Sequence, residues 1–381
     1  ENKDKAVMTL TKGVEFLFKK NKVTYFKGTG KLKSPSEIIV IDKENKETNI
    51  QSDNIIISTG SEPVPLPGIE FDEEKIISST GALSLKSVPK KMLVVGGGYI
   101  GLEMGSVWSR LGAEVHVVEF LDHITPGMDK EISNEFMKIL KKQGLNFHLE
   151  TKVEKISKLK NGVIVETSNK EGKKIKFDSD VVLISVGRKP YTKNLNIEKI
   201  GIKLDEKKRI KVNKNYQTNI KNIYAIGDVI EGPMLAHKAE EEGIAVAELI
   251  SGQSGHVNYE VIPGVIYTTP EVASVGKTEE QLKEKNQKYK IGKFPFMANS
   301  RAKAIDESDG FVKILADATT DKVLGVHLIG SHAGELIAEM ALAMEFGASS
   351  EDIARTCHAH PTFSEAVKEA ALSVEKRQIH S

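Results

Sequence analysis

Near the C-terminus, Cys357-His358-Ala359-His360-Pro361-Thr362-Phe363-Ser364-Glu365 gathers a thiol, two imidazoles and a carboxylate within nine residues. Pro361 fixes a turn there, between a helix expected to close near 354–356 and another expected to begin near Thr362. Glu365 has two readings. In one, Thr362 or a neighbour caps the last helix and Glu365 merely suits the positive end of its dipole. In the other, the carboxylate orients the imidazole of His360 and raises its basicity, so that His360 exchanges a proton near neutral pH. Five residues around a proline turn can bring the two together. Cys357, His358 and His360 also resemble metal ligands, but three within four positions, with no second cluster, do not close a tetrahedral site, and no metal is expected. Cys357 itself is expected to be a buried helical cysteine acting as a small hydrophobe.

A second constellation could bind a dinucleotide. Gly96-Gly97-Gly98-Tyr99-Ile100-Gly101 is a G-x-G-x-x-G that follows an apolar run at 92–95 and opens a helical pattern reaching about residue 111. Gly96 permits the tight turn, and Gly98 lets the backbone approach a pyrophosphate. Gly101 lets helix and strand pack closely, while the helix N-terminus offers N–H donors. Glu119 closes the next strand, 115–119, where its carboxylate can accept a ribose 2′-hydroxyl and would repel a 2′-phosphate, so NAD is preferred over NADP. A third element is the strand 223–226 running into Gly227-Asp228. An aspartate at a strand end can hydrogen-bond a polyol hydroxyl, although Gly-Asp there is more often a plain turn.

These residues need elements to position them. Val7, Leu10, Val14 and Leu17 fall at helical spacing with lysines between them, which predicts an amphipathic helix that needs a body to pack against. Short strands follow at 37–41 and 54–58, the second ending in Ser58-Thr59-Gly60-Ser61 before a proline-rich turn at 63–68. The glycine turn then opens a βαβ unit. A further helix, a polar hairpin region and the apolar run 181–186 lead to Gly187-Arg188-Lys189-Pro190, where the pattern breaks. After a helix at 237–250, strands near 264–267, 311–314 and 323–329 precede two helices, an α+β arrangement. The fold class expected is therefore α/β, with two nucleotide-binding Rossmann-like domains and an α+β C-terminal domain. The boundaries expected are 1–89 and 188–254 for one divided domain, 90–187 for the second, and 255–381 for the third.

Composition narrows the partners. The 54 basic and 53 acidic residues nearly cancel, leaving no strong field to gather nucleic acid or an anionic membrane. No apolar run approaches the length of a membrane span. With one cysteine there is no intramolecular disulfide framework, which fits a reducing compartment.

The stretches GGGYIGLEMGSVWSRLGAEVHVVEF, YAIGDVIEGPMLAHKAEEEG, VIYTTPEVASVGKTEEQL and CHAHPTFSEAVKEA together resemble the dihydrolipoamide dehydrogenases of the class I pyridine nucleotide-disulfide oxidoreductase family. The resemblance runs over essentially all 381 residues. Glutathione reductase-like chains carry basic residues where this chain has Glu119, and mercuric reductase-like chains would show a C-terminal cysteine pair. It implies a homodimer with FAD, NAD and interface domains, in which His360 and Glu365 serve the partner subunit's active site. By the same carry-over Thr59, Gly60, Gly227 and Asp228 contact FAD, and Met234, Leu235, Ala236 and His237 lie beside the flavin. Gly96, Gly98, Tyr99, Ile100, Gly101, Glu119 and Gly187 hold NAD, with Glu103 near the nicotinamide and the flavin face. The implied reaction is oxidation of dihydrolipoamide by NAD+, with His360 as general base, in 2-oxo acid dehydrogenase or glycine cleavage complexes. Lipoyl domains and the core acyltransferase would be the protein partners. The implied home is a bacterial cytoplasm or, alternatively, the mitochondrial matrix.

The sequence departs from that family in lacking the N-terminal G-x-G-x-x-G for the FAD diphosphate and the C-x-x-x-x-C redox pair, so the FAD domain is expected to be incomplete. A truncated chain that is inactive as it stands is the expectation. The alternatives are a noncatalytic NAD-binding scaffold and another NAD-linked flavin disulfide reductase.

Overall fold

The computed structural model describes residues Glu1–Ser381, which cluster into two compact units, Glu1–Ser61 with Lys189–His256, and Glu62–Arg188 with Val257–Ser381.

In the first unit, a meander of three antiparallel strands, Thr29–Ser34, Glu37–Ile41 and Glu47–Gln51, accompanies a parallel pair, Ile55–Ile57 beside Ile223–Ala225. The pair registers Ile57 against Ala225, so the chain leaves both strands at the same end. The N-terminal helix spans Asn2–Lys20, yet none of its residues is buried, and the apolar stripe expected to find a body to pack against, Val7, Leu10, Val14 and Leu17, lies open.

The second unit holds two five-stranded sheets. One is parallel, in the order Ile76–Ile77, Val181–Ile184, Lys91–Val95, Glu114–Val118, Asn146–His148. Its central strands read as continuous apolar runs because both faces are covered, Met92 and Val94 by Leu102 and Phe136 of the helices, Leu93 and Val95 by Ile156, Val163, Val165 and Phe177 of the antiparallel strands that follow. Met92, Leu93 and Val94 are fully buried, as are Val182 and Leu183. The helix Lys130–Lys142 buries Ile132, Phe136, Ile139 and Leu140 at spacings of four, three and one, and is capped by Asp129, which accepts the Glu131 N–H. The stretch expected to be a polar hairpin is a three-stranded antiparallel sheet, Thr151–Leu159, Gly162–Asn169 and Lys174–Ser179.

The other sheet is antiparallel, ordered Gly264–Ile266, Glu271–Gly276, Val323–Gly330, Phe311–Asp317, Tyr289–Pro295. Three helices follow it, not the two expected: Ala333–Glu345, Ser350–Arg355 and Glu365–Val374. The short middle one is announced by its capping box, Ser349 with Asp352. Glycine decides how closely the last helix lies on the sheet. A Cβ at Gly292 would stand 2.0 Å from the Ala370 carbonyl oxygen, so only glycine lets the helix sit there. That helix carries Glu365 as its first residue.

Candidate active site

Helix Ser350–Arg355 ends at Thr356, whose extended backbone turns the chain outward. Cys357 therefore lies beyond the helix and is exposed, a correction to the expected buried helical cysteine. Three residues on, His360 Nδ1 stands 2.9 Å from Glu365 Oε1, and Glu365 Oε2 accepts the Thr362 N–H at 2.9 Å. The pairing with the imidazole is present, and Glu365 does stand in the first turn of the helix, but neither Thr362 nor Ser364 caps that helix with its side chain, so one Glu365 oxygen braces the turn at Thr362 and the other the ring. Burial pushes the Glu365 carboxyl up, but the bonds from the Thr362 N–H and His360 outweigh it and hold the group below its ordinary value. An ionised carboxylate can only accept, so Nδ1 carries the hydrogen, and in the neutral ring that leaves Nε2 with the lone pair. The ring is 71% exposed and the carboxylate 25%, which leaves Nε2 accessible to a substrate. No group of three or more metal-ligating side chains is present.

The glycine turn lies between strand Lys91–Val95 and helix Tyr99–Arg110. Gly96 has φ +106°, and a Cβ there would stand 2.6 Å from the Ser185 carbonyl oxygen. At Gly101 the same atom would stand 2.3 Å from the Gly96 oxygen, so helix and strand touch through backbone. Around Gly98 there is nothing within 4 Å, and as the helix N-cap it offers no side chain to the first-turn N–H groups. Open space before the N-terminus of a twelve-residue helix with no side-chain cap suits a pyrophosphate. Tyr99 is exposed and Ile100 half-buried, whereas Gly187 has φ +127° with open space around it.

Glu119 is 8% exposed. Its Oε2 accepts the Gly97 N–H at 2.6 Å and its Oε1 the Leu121 N–H at 2.8 Å. The carboxylate thus ties the strand end to the glycine turn, and with about four lone-pair positions it can still accept ribose hydroxyls. Glu103, on the helix, accepts the Tyr267 N–H at 2.8 Å. Burial holds its carboxyl above the ordinary value in spite of that bond.

In the other unit, the paired ends of Ile55–Ile57 and Ile223–Ala225 bring Thr59, Gly60 and Ser61 beside Gly227 and Asp228. Asp228 accepts a hydrogen bond from Ser61 Oγ at 2.5 Å, and Thr59 Oγ1 donates to the Tyr191 carbonyl. Gly60, at φ +72°, has open space around it. Beneath lies a fully buried ion pair that the sequence did not mark, Lys238 with Glu242 at 3.0 Å. Glu242 accepts the Gly227 N–H and Lys238 donates to the Gly227 carbonyl, so the residue before Asp228 is gripped on both sides. Met234 and Leu235 are half-buried and Ala236 and His237 exposed, at the start of helix Ala236–Ile250.

Residues 2–243 match the model of the pyridine nucleotide-disulphide oxidoreductases, and residues 262–371 that of the dimerisation domain of the same family. The chain belongs to the pyridine nucleotide-disulphide oxidoreductases. It is 57% identical to the mitochondrial dihydrolipoyl dehydrogenase of Pisum sativum, over 99% of this chain and 76% of that one. A dihydrolipoamide dehydrogenase of Chaetomium thermophilum is likewise 57% identical over 99% of this chain and 75% of its own. Among solved structures, the Cu(II) complex of the HOCl-induced flavoprotein disulfide reductase RclA from Escherichia coli aligns with a TM-score of 0.85 at 27% identity, covering 96% of this chain and 84% of that one. The two nucleotide-binding folds and the α+β dimerisation domain are those of this family, whose members use FAD and a nicotinamide dinucleotide. No helix is long and apolar enough to cross a membrane.

Proposed function

We propose that this protein oxidises dihydrolipoamide to lipoamide with NAD+, as the dihydrolipoamide dehydrogenase component of 2-oxo acid dehydrogenase or glycine cleavage complexes. The observation that carries this reading is the His360–Glu365 pair, a ring anchored at Nδ1 and open at Nε2, in a chain whose relatives are named for that reaction. Nε2 takes the proton from a dihydrolipoamide thiol, and the thiolate attacks a redox disulfide. Glu365 keeps the ring oriented and stabilises its charged form. Cys357 is the chain's one cysteine and cannot supply that disulfide alone. When bound, FAD supplies the two-electron transfer from the dithiol and NAD+ accepts the hydride.

The residues divide by role. Gly96, Gly98, Tyr99, Ile100, Gly101, Glu119 and Gly187 hold NAD, and Glu103 approaches its nicotinamide from the glycine-turn helix. Thr59, Gly60, Gly227 and Asp228 hold FAD, with Asp228 at the polyol and 234–237 beside the ring system. The FAD domain comprises 1–89 and 188–254, the NAD domain 90–187 and the interface domain 255–381. Lipoyl domains and the acyltransferase core are the partners, and the name of the Pisum sativum relative supports the mitochondrial matrix. The test is dihydrolipoamide-dependent NADH formation with FAD supplied. Turnover sustains the reading, and NADH binding without turnover in the full-length dimer sinks it.

Glu119 sets the nucleotide preference. Exchanging it for arginine removes a charge-assisted acceptor worth about 1.5–3 kcal/mol and offers a cation to a 2′-phosphate. Glu119→Arg is expected to lower the NAD+ over NADP+ preference in KM by about ten- to a hundredfold. An unchanged ratio in steady-state assays would remove Glu119 from the ribose site.

A further inference from the structure

His358 lies two residues before His360, yet its side chain is only 5% exposed where that of His360 is 71% exposed. Its Nε2 stands 2.8 Å from Glu339 Oε1 and its Nδ1 3.0 Å from the Thr356 carbonyl oxygen. A carbonyl oxygen cannot donate, and neither can a carboxylate, so both ring nitrogens are engaged only when both carry hydrogen. That species is the imidazolium. We propose that His358 is a charged positioning residue which, with Glu339 as its counter-ion, fixes the turn that presents His360. The inference rests on His360 being the general base proposed above.

Three helices converge on this contact. Glu339 belongs to Ala333–Glu345, Thr356 closes Ser350–Arg355, and Lys368 of Glu365–Val374 donates to the same Thr356 carbonyl at 3.2 Å. The turn is thus held upstream by His358 and downstream by Glu365, with His360 between the two anchors. The charged groups facing His358 are Glu339 and Lys368. The hydrogen bond to Glu339 raises its pKa and burial lowers it, while Thr356 adds to the rise and Lys368 opposes it, with a net rise. A raised histidine stays charged as pH climbs through the ordinary imidazole value of about 6.5, so the clamp persists where His360 must be neutral and opens only at higher pH.

Long-range 1H–15N spectra of the chain labelled at histidine nitrogen test this without relying on activity. Near neutral pH His358 is expected to show two protonated nitrogens, and His360 the Nδ1–H form. In Glu339→Gln, His358 loses its second proton at lower pH and His360 becomes a mixture of tautomers, with circular dichroism unchanged. In the full-length dimeric holoenzyme, Glu339→Gln and His358→Gln are each expected to lower kcat for dihydrolipoamide about tenfold or more, with KM for NAD+ unaltered, since small misplacements of a catalytic group are expensive in rate. The alkaline limb of the kcat profile should also move to lower pH in Glu339→Gln. A singly protonated His358 in the unaltered chain overturns the proposal, and so does an unchanged His360 tautomer in both variants. Full turnover by His360→Gln would instead remove the base assignment while leaving the protonation state of His358 as measured, so the two failures are distinguishable.

Discussion

Replacing His360 by glutamine will slow dihydrolipoamide oxidation by a hundredfold to ten-thousandfold, the range over which a lost general base acts. Glutamine keeps an amide N–H that can still donate to Glu365, so the turn survives, but it has no nitrogen able to accept the thiol proton. The assay is dihydrolipoamide-dependent NADH formation by the full-length dimeric holoenzyme, and KM for NAD+ should stay where it was. Turnover within a factor of a few of the unaltered protein would take the base role from His360. Glu365→Gln should lose less, because the ring keeps its lone pair and loses only its orientation. The acid limb has a defined sign. Glu365 is held below its ordinary value, so its pairing with His360 is fully present above about pH 4.5 and is lost as pH falls through the lowered value.

That pair was legible in the sequence because its members are five residues apart across a proline, a distance local geometry can close. The glycine turn was legible for the same reason, as was Glu119 at the end of the next strand. What sequence reading missed lies far apart in the chain or depends on burial. Ser61 meets Asp228 across 167 positions, and no local pattern relates them. Lys238 and Glu242 are four apart, a spacing that normally means a solvated helix face, and only the fold reveals that both are fully buried against Gly227. The helix end near 354–356 is where it was expected, but Cys357, expected to be helical and buried, follows the extended Thr356 and is exposed. The three-stranded sheet at 151–179 was blurred because only its middle strand, Gly162–Asn169, buries a regular alternating row, Val163, Val165 and Thr167, while the lysine-rich strands on either side bury few residues.

Lys313→Met is expected to destabilise the second unit by about 3–5 kcal/mol, the range for removing one partner of a buried charge pair. Lys313, on strand Phe311–Asp317, is fully buried, and its ammonium contacts Asp129 at 3.0 Å, Glu131 at 3.1 Å and Glu279 at 2.7 Å. Asp129 caps the helix Lys130–Lys142 and Glu279 opens the helix Glu279–Glu284, so a single cation joins the nucleotide-binding sheet's helix to the antiparallel sheet. Burial alone would lower the ammonium's pKa, but the bonds and charges of Glu279 and Asp129 hold it above its ordinary range. Burial likewise pushes Glu279 up, and hydrogen bonds from Lys283, Lys313 and Tyr289 bring it down to about 2. A depressed carboxyl contributes stability that is complete above about pH 4.5 and lost as pH falls toward 2, so the gap in Tm between Lys313→Met and the unaltered protein should narrow on acidification. Asp129→Asn, which preserves the helix cap, should recover part of the loss when combined with Lys313→Met, because the deepest of the stranded carboxylates is then gone. Thermal unfolding at neutral and acid pH reads all three. A Tm for Lys313→Met equal to that of the unaltered protein would mean that the three carboxylates find water or protons when the cation is removed, and that the joint is held by the apolar contacts around it.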